Sequence, residues 1–487
     1  MKLRDLIKDI KPVAVTADLD MEIRDVRYDS RDIAPGELFV AIEGLETDGH
    51  KYISMAAERG AVAVVCQRVP EVDVPYVLVE DSRTALALIS AEYFGQPAKR
   101  MKLLGVTGTN GKTTTTLLLK SVLEQCLGAK VGLIGTNENM IGDETLETER
   151  TTPESYVLQK ILRQMADAGC TYVVMEVSSH ALALSRVAGL RFAVGVFTNL
   201  SQDHLDFHKN MNDYARAKSL LFAQSGRGVI NIDDSYAQIM LSAAEDSGCH
   251  VLSFSVDKNE ADILAKNIRL KTGSVEFSAL VPGGIQRMVL HIPGKFSVYN
   301  ALGVIGCACC LAIPLEKTAA ALEKAKGVKG RVETVPTDGE YTVLIDYAHT
   351  PDALENVLEA VRGFASGRAV TLFGCGGDRD RTKRPLMGRV AADLSDFVIV
   401  TSDNPRTEVP GRIIEDILAG MQDTKTPYVS IEDRREAIAY AIDNHQAGDI
   451  IVLAGKGHET YQEVNQIKHH MDEREIVAEI IARRKSQ

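Results

Sequence analysis

Short continuous apolar runs recur along the chain, separated by longer stretches in which apolar positions return at helical spacing. Over residues 1–99 the runs ELFVAI, AVAVVC and YVLVE read as strands between helical stretches, and the turn-rich FGQPAKR closes the segment. MKLLGVTG then reads as a buried strand, GTNGKT as a loop, TTTLLLKSVLEQCLG as a helix and KVGLIGT as the next strand. That order is a βαβ unit, and further apolar runs at TYVVMEVS, FAVGVFTNL and GVINID predict a largely parallel, doubly wound sheet. The pattern breaks at GVKGRVETVPTDGE, a Gly- and Pro-containing stretch that suits a linker. Beyond it YTVLIDYA, AVTLFGCGG, DFVIVTSD and DIIVLAG alternate with helical segments such as PDALENVLEAV and RREAIAYAID, predicting another open α/β sheet.

The predicted class is therefore α/β in three domains: a smaller N-terminal α/β domain over 1–99, a central P-loop ATPase-type, mostly parallel sheet over 100–330, and a C-terminal Rossmann-like sheet over 331–487. A chain of 487 residues is too long for one core, which agrees. Apolar residues at 45% and charged residues at 25% describe an ordinary globular protein rather than a disordered or fibrous one. The net charge of −12 argues against a nucleic-acid partner and confines any cationic site to a local concavity. MKLRDLIKDIKPVAV lacks the apolar stretch of a signal peptide and no run is long enough to span a bilayer, so a cytoplasmic protein without membrane insertion is expected. Eight Cys without paired spacing read as reduced thiols; Cys307, Cys309 and Cys310 fall in ALGVIGCACCLA, which reads as a buried helix and has no His at ligand spacing.

The strongest chemical signal is Gly108-Thr109-Asn110-Gly111-Lys112-Thr113, followed by Thr114, set between a strand and a helix. Backbone N–H groups there can cradle phosphates, with Lys112 on the terminal phosphates and the Thr113 hydroxyl on Mg²⁺. Val106 stands where the strict eight-residue pattern has its first Gly, and a structural Gly-rich turn is the alternative. Glu176 ends one strand and His204 follows the next, on the same sheet edge; both could complete a metal site, or serve structure alone. In the last third, DYAHTP, GCGGDRD, TSDNPR and AGKGHE each follow a predicted strand, where open sheets bind ligands, and so predict one shared pocket.

Together with DSRDIAPGELFVAI, TTPES, MEVSSHAL, TNLSQDHLDFH, YARAKSLLF, HIPGKFSVYNALG, GRVE, GCGGDRDRTKRPLMG, DNPRTEVP and GKGHE, these motifs resemble the Mur ligase superfamily, which includes the folylpolyglutamate synthetases. The resemblance spans nearly the whole chain. It implies an ATP-dependent, ADP-forming amide-bond ligase of peptidoglycan precursor synthesis, and hence of cell-wall growth, cell shape and division. The implied substrates are ATP, UDP-MurNAc-L-Ala-D-Glu and meso-diaminopimelate, with Mg²⁺ as cofactor and a monomeric state. By the same resemblance Ser30 contacts the uridine nucleotide, and Thr151, Thr152, Ser178 and Arg186 hold the muramoyl dipeptide; from the residues alone Ser30 is a turn or cap residue and Arg186 a surface Arg. Lys218 is implied to be carbamylated and to ligate a second Mg²⁺, whereas the residue alone reads as a solvated helix Lys. Asn300, Arg331, Asp346 and His349 are implied at ATP, with His349 also a candidate base for the amine.

Arg379, Asp403, Asn404, Pro405, Arg406, Gly455 and Glu459 are implied around diaminopimelate. The guanidinium of Arg406 suits the distal carboxylate, which lysine lacks, and Asp403 and Glu459 suit an ammonium. Lysine as the amino acid, a folylpolyglutamate synthetase, and a nucleotide-switched protein without ligase activity remain the alternatives.

Overall fold

The computed structural model describes residues 1–44, 47–146, 148, 150–271, 273–325 and 327–485. Its strands form three large sheets and one hairpin. The N-terminal sheet has five strands in the order Ala14–Val15, Tyr76–Leu78, Ala63–Cys66, Leu38–Val40, Val26–Arg27, parallel except at its first pair. The three apolar runs expected as strands are its middle members; the two outer strands are only two residues long, too short to leave a pattern.

The central sheet is built around the parallel triple Phe192–Phe197, Lys102–Thr107, Tyr172–Glu176, in which Glu176 lies beside Val106 and Phe197 beside Thr107. This register brings the two flanking strand ends level with the Gly-rich loop. The sheet has eleven strands, more than the run pattern predicts. Parallel strands at His250–Ser255 and Ile263–Lys271 continue it on one side, and antiparallel strands at Ser274–Val281 and Gly284–Leu290 end it; a hairpin, Asn139–Ile141 and Glu144–Leu146, extends the other edge. These additions are half-polar or exposed, as antiparallel edges with one solvated face can be. The helix Lys112–Leu127 ends at Gly128 in left-handed conformation and packs its Leu118, Leu119, Val122 and Leu123 against the helix Lys295–Cys310. That second helix carries the Cys run and is buried on nearly every side, as its apolar composition requires.

The C-terminal sheet runs Glu333–Val335, Thr342–Asp346, Ile450–Ala454, Ala369–Phe373, Phe397–Val400, Tyr428–Ser430, all parallel except the first. One expectation is corrected here: the stretch read as a linker contains the strand Glu333–Val335, whose Val335 is buried against Tyr341 and Val343, so its pairing and apolar packing outweigh the flanking Gly and Pro. Among the described residues no helix is long and apolar enough to cross a membrane.

Candidate active site

Gly108 and Gly111 make the loop between the strand Lys102–Thr107 and the helix Lys112–Leu127 possible. Both have positive φ, at 152° and 82°, and a Cβ would collide with Thr198 Oγ1 at the first and Asn300 Oδ1 at the second. Neighbouring side chains hold the loop: Asn199 Oδ1 accepts from Asn110 N at 2.9 Å, and Thr109 Oγ1 donates to Ser201 O at 3.2 Å and lies 3.2 Å from Tyr214 OH. Lys112 Nζ donates to the carbonyls of Gly108 and Thr109 at 3.0 and 2.9 Å.

Lys218 sits on the helix Met211–Ala223, which starts where Asn210 Oδ1 accepts from Asp213 N. It is 1% exposed and donates to the Gly108 carbonyl at 2.8 Å, the acceptor that Lys112 also uses, with its Nζ 4.5 Å from the Tyr214 ring centroid. Burial, reinforced by the Lys112 charge, holds its amine well below the usual lysine range, against a smaller opposing pull from Asp203. A solvated helix lysine is therefore not what the structure contains.

His204, in left-handed backbone conformation, has its ring 3.5 Å from Asp203 and edge-on to His180. Partial removal from water, aided by His180, Lys218 and Lys112 and opposed by Asp203, pushes it down to about 3, so it is a neutral donor at neutral pH. Glu176 is buried, with Oε1 accepting from Thr136 N at 2.9 Å and Oε2 from Thr136 Oγ1 at 3.0 Å. Thr136 Oγ1 also lies 3.0 Å from Thr151 Oγ1, and Thr152 Oγ1 donates to Glu176 O at 2.8 Å while accepting from Ser178 N at 3.1 Å. Thr151, Thr152 and Ser178 are thus joined to the strand end that carries Glu176. Among the described residues no three His, Cys, Asp or Glu side chains converge as a preformed metal site. The Thr113 hydroxyl, the Glu176 carboxylate and neutral His204 are nevertheless donor types that suit a hard cation.

The C-terminal sheet closes directly over this loop. Asp352, in the first turn of the helix Pro351–Arg362 that Thr350 caps, accepts from Asn110 Nδ2 at 2.6 Å and Ser201 Oγ at 3.1 Å. Arg331 Nη2 donates to Thr113 Oγ1 at 3.3 Å, its guanidinium stacks 4.9 Å from the Tyr347 ring, and its buried Nε has no partner among the described residues. Asp346 is buried and accepts from Val332 N and Ala348 N, both at 2.7 Å. His349 Nδ1 donates to Tyr347 O at 2.8 Å, which leaves the Nε2 lone pair facing Asp203 at 3.9 Å; burial holds its pKa below the usual histidine range. Asp203 is pulled well below the carboxylate range: burial alone would raise it, but His204, Lys383 and His349 outweigh that.

Asn110, Gly111, Thr114, Asn300, Arg331 and Asp346 share the wall of one cavity of about 260 Å³ between the central and C-terminal sheets. Asp203, Lys383 and Asp352 were not picked out from the sequence. Asp203 lies beside His204 in TNLSQDHLDFH, Asp352 directly follows DYAHTP, and Lys383 lies within GCGGDRDRTKRPLMG, so each is in or next to a motif without being marked by its own residue type.

A second cavity, about 610 Å³, lies where the N-terminal and central units meet, and Tyr28, Arg83, Arg150, Glu154 and Arg186 line part of it. Arg186 is buried rather than on the surface; Nε donates to Glu154 Oε2 at 3.2 Å and Nη1 to Thr152 O at 3.1 Å. Ser30 is not among the lining residues: it heads a short turn capped by Asp29, with Oγ 3.7 Å from Met55 Sδ.

At the carboxyl ends of the strands Phe397–Val400 and Ile450–Ala454 the remaining motif residues gather. Arg406 Nη1 donates to Gly377 O at 2.7 Å and Nε lies 3.2 Å from Glu463 Oε2, while Pro405 packs its carbonyl against Gly377. Arg379 is exposed, donates to Asp378 O, and flanks Gly376 as Arg406 does. Asp403 is buried beside Gly455, whose φ of 114° a side chain would strain. Glu459 is not simply a free carboxylate awaiting an ammonium: its Oε2 accepts from Lys456 Nζ at 2.7 Å and from Asn404 Nδ2 at 2.9 Å.

Three family models match in succession: "Mur ligase family, catalytic domain" over residues 22–94, "Mur ligase middle domain" over 106–308 and "Mur ligase, glutamate ligase domain" over 330–457. The chain is 49% identical over 487 residues, 99% of each protein, to the UDP-N-acetylmuramoyl-L-alanyl-D-glutamate--2,6-diaminopimelate ligase of Caldanaerobacter subterraneus subsp. tengcongensis. It is 47% identical over 468 residues, 94% of this chain and 95% of the other, to the Clostridium botulinum protein of that name. A solved structure of a ligase so named superposes with a TM-score of 0.71 at 32% identity, covering 100% of this chain and 99% of that one.

Proposed function

The chain belongs to the Mur ligase family, and from that premise we propose that it is an ATP-dependent ligase joining meso-diaminopimelate to the D-Glu residue of UDP-MurNAc-L-Ala-D-Glu in peptidoglycan precursor synthesis. The observation that supports this reading is that Asn110, Gly111 and Thr114 of the Gly-rich loop share one cavity wall with Asn300, Arg331 and Asp346, while buried Lys218 donates to the same loop at Gly108.

The dipeptide end of the acceptor lies against Thr151, Thr152, Ser178 and Arg186, and the uridine end reaches toward Ser30 across the N-terminal domain. The domains divide at 99/100 and 330/331. A D-Glu carboxylate oxygen attacks the γ-phosphorus of ATP in line, the bond to the β,γ-bridging oxygen breaks, and ADP leaves an acyl phosphate. Lys112 and Arg331 stabilise the charge spreading over the phosphoryl oxygens, Gly108–Thr114 hold the phosphates, and Asn300 faces the adenine end. Thr113, Glu176, His204 and Lys218 as its carbamate would hold Mg²⁺, which supplies charge neutralisation on the phosphates when bound. An uncharged amine is what adds carbon dioxide, and the displaced pKa of Lys218 supports that modification.

The amine of diaminopimelate then attacks the acyl carbon, the tetrahedral intermediate collapses, and phosphate leaves with its bond electrons. His349 accepts the ammonium proton at Nε2, the nitrogen its bond to Tyr347 leaves unprotonated. Arg406 receives the distal carboxylate, with Arg379, Asp403, Asn404, Pro405, Gly455 and Glu459 shaping the rest of that pocket. Use of ATP and of a UDP-linked precursor argues for the cytoplasm, and the chain acts as a monomer.

The test is phosphate release from ATP with UDP-MurNAc-L-Ala-D-Glu and either meso-diaminopimelate or L-lysine, the product identified by mass. Release with diaminopimelate alone is expected. Preference for lysine would overturn the amino-acid assignment, and release that needs neither amino acid would overturn the ligase reading.

A further inference from the structure

Lys456 is fully buried, an environment that a lysine occupies only when its charge is matched. Its Nζ donates to Glu459 Oε2 at 2.7 Å and Asn404 Oδ1 at 2.9 Å, and lies 5.3 Å from the Tyr461 ring centroid. Asn404 Oδ1 also accepts from Glu463 N at 2.9 Å, and Asn404 Nδ2 donates to Glu459 Oε2. One ammonium therefore fixes which way the Asn404 amide points and where the Glu459 carboxylate sits. It also stands close enough to Asp403 to be the main cationic influence on that buried carboxylate.

The consequence is a charge balance. Asp403 and Glu459 place two carboxylates at one end of the pocket, and Lys456 neutralises one of them. At the other end Arg406 is opposed by Glu463. A substrate ammonium then finds about one uncompensated negative charge, and a substrate carboxylate approaching Arg406 is not driven off by a second. Without Lys456 the pocket gains a net negative charge, which favours a side chain ending in a lone ammonium over one ending in an ammonium and a carboxylate.

Resting on the diaminopimelate reading of this pocket, we infer that Lys456 is a specificity-determining positioning residue: by orienting Asn404 and Glu459 and cancelling one of two carboxylates, it tunes the pocket to a zwitterionic rather than a cationic side-chain terminus.

The experiment measures kcat and KM for meso-diaminopimelate and L-lysine, at saturating ATP and UDP-MurNAc-L-Ala-D-Glu, in the wild type, in Lys456→Met and in Lys456→Gln. Each neutral variant is expected to lower the diaminopimelate-to-lysine ratio of kcat/KM at least about tenfold, mainly through KM for diaminopimelate, with KM for ATP unchanged. In the double variant Lys456→Met with Glu459→Gln, which restores the charge balance, the ratio recovers toward the wild-type value even where the absolute rate stays low. Equal losses for both amino acids, an unchanged ratio, or a double variant that discriminates worse than Lys456→Met would each overturn the inference. So would failure of all three variants to give folded protein by thermal melt, which would make Lys456 a structural residue. Wild-type protein that does not use diaminopimelate would instead sink the functional reading on which the inference rests.

Discussion

A lysine ammonium held at 1% exposure beside a second ammonium is a poor cation, and Lys218 shares its carbonyl acceptor with Lys112. Lys218→Arg keeps a positive charge but cannot form a carbamate. Phosphate release should fall by about a hundredfold or more, as when a fixed electrostatic group is lost, while nucleotide binding by calorimetry persists. Intact-mass measurement at neutral pH should find one added carbon dioxide on the wild type and none on the variant. His208 makes a separate prediction. It is buried, stacks on Tyr214 and bonds Ser179, and burial with help from His180 and Lys218 pushes it down to about 4 from the ordinary 6.5. Between those values the unfolded chain binds more protons than the folded one, so stability is full above about pH 6.5 and falls as pH drops toward 4, by about 2 kcal/mol at pH 5 for this group alone. Urea unfolding at pH 7 and pH 5 should register that loss, and His208→Gln should reduce the difference.

At the scale of elements, the Gly-rich loop tolerates no side chain at Gly111, where both a positive φ and Asn300 oppose it. Gly111→Ala should cost about 1–3 kcal/mol in thermal unfolding and raise KM for ATP. The helix Glu473–Lys485 is held by Arg434 and Glu473, both fully buried, at 2.8 Å. Arg434 also donates to Ala454 O and Ser402 O, so the same guanidinium braces the strand ends that lead into the Gly455 and Asp403 loops. Glu473→Ala leaves that charge uncompensated and should cost about 3–5 kcal/mol by urea denaturation. Replacing Arg434 and Glu473 together by Leu and Met should recover much of that loss.

At the scale of the molecule, the cleft exists because the C-terminal domain rests on the Gly-rich loop through Asp352 and Arg331 and on Asp203 through Lys383. Asp352→Ala removes the acceptor for Asn110 and Ser201. Small-angle scattering without nucleotide should show a larger radius of gyration than the wild type, and KM for ATP should rise while KM for the UDP acceptor holds. An unchanged scattering profile would mean the apolar contacts alone hold the sheets together.

Local pattern was enough for the parallel sheets, the Gly-rich loop between strand and helix, the buried Cys helix and the position of the C-terminal motifs at strand ends, because buried parallel strands and loop glycines leave contiguous signals. Half-polar strands such as Ile263–Lys271, parallel to one neighbour and antiparallel to the other, and two-residue strands such as Val26–Arg27 leave none, since cross-strand partners rather than their own residues decide them. The same limit applies to the site. Sequence could name Lys218, Arg186 and Glu459, but an isolated lysine or arginine reads as solvated by default. Only tertiary packing buries Lys218 against Gly108, joins Arg186 to Glu154, and sets Lys456 on Asn404. Burial and charge pairing arise between segments far apart in the chain, and the chemistry of a titratable group follows from them.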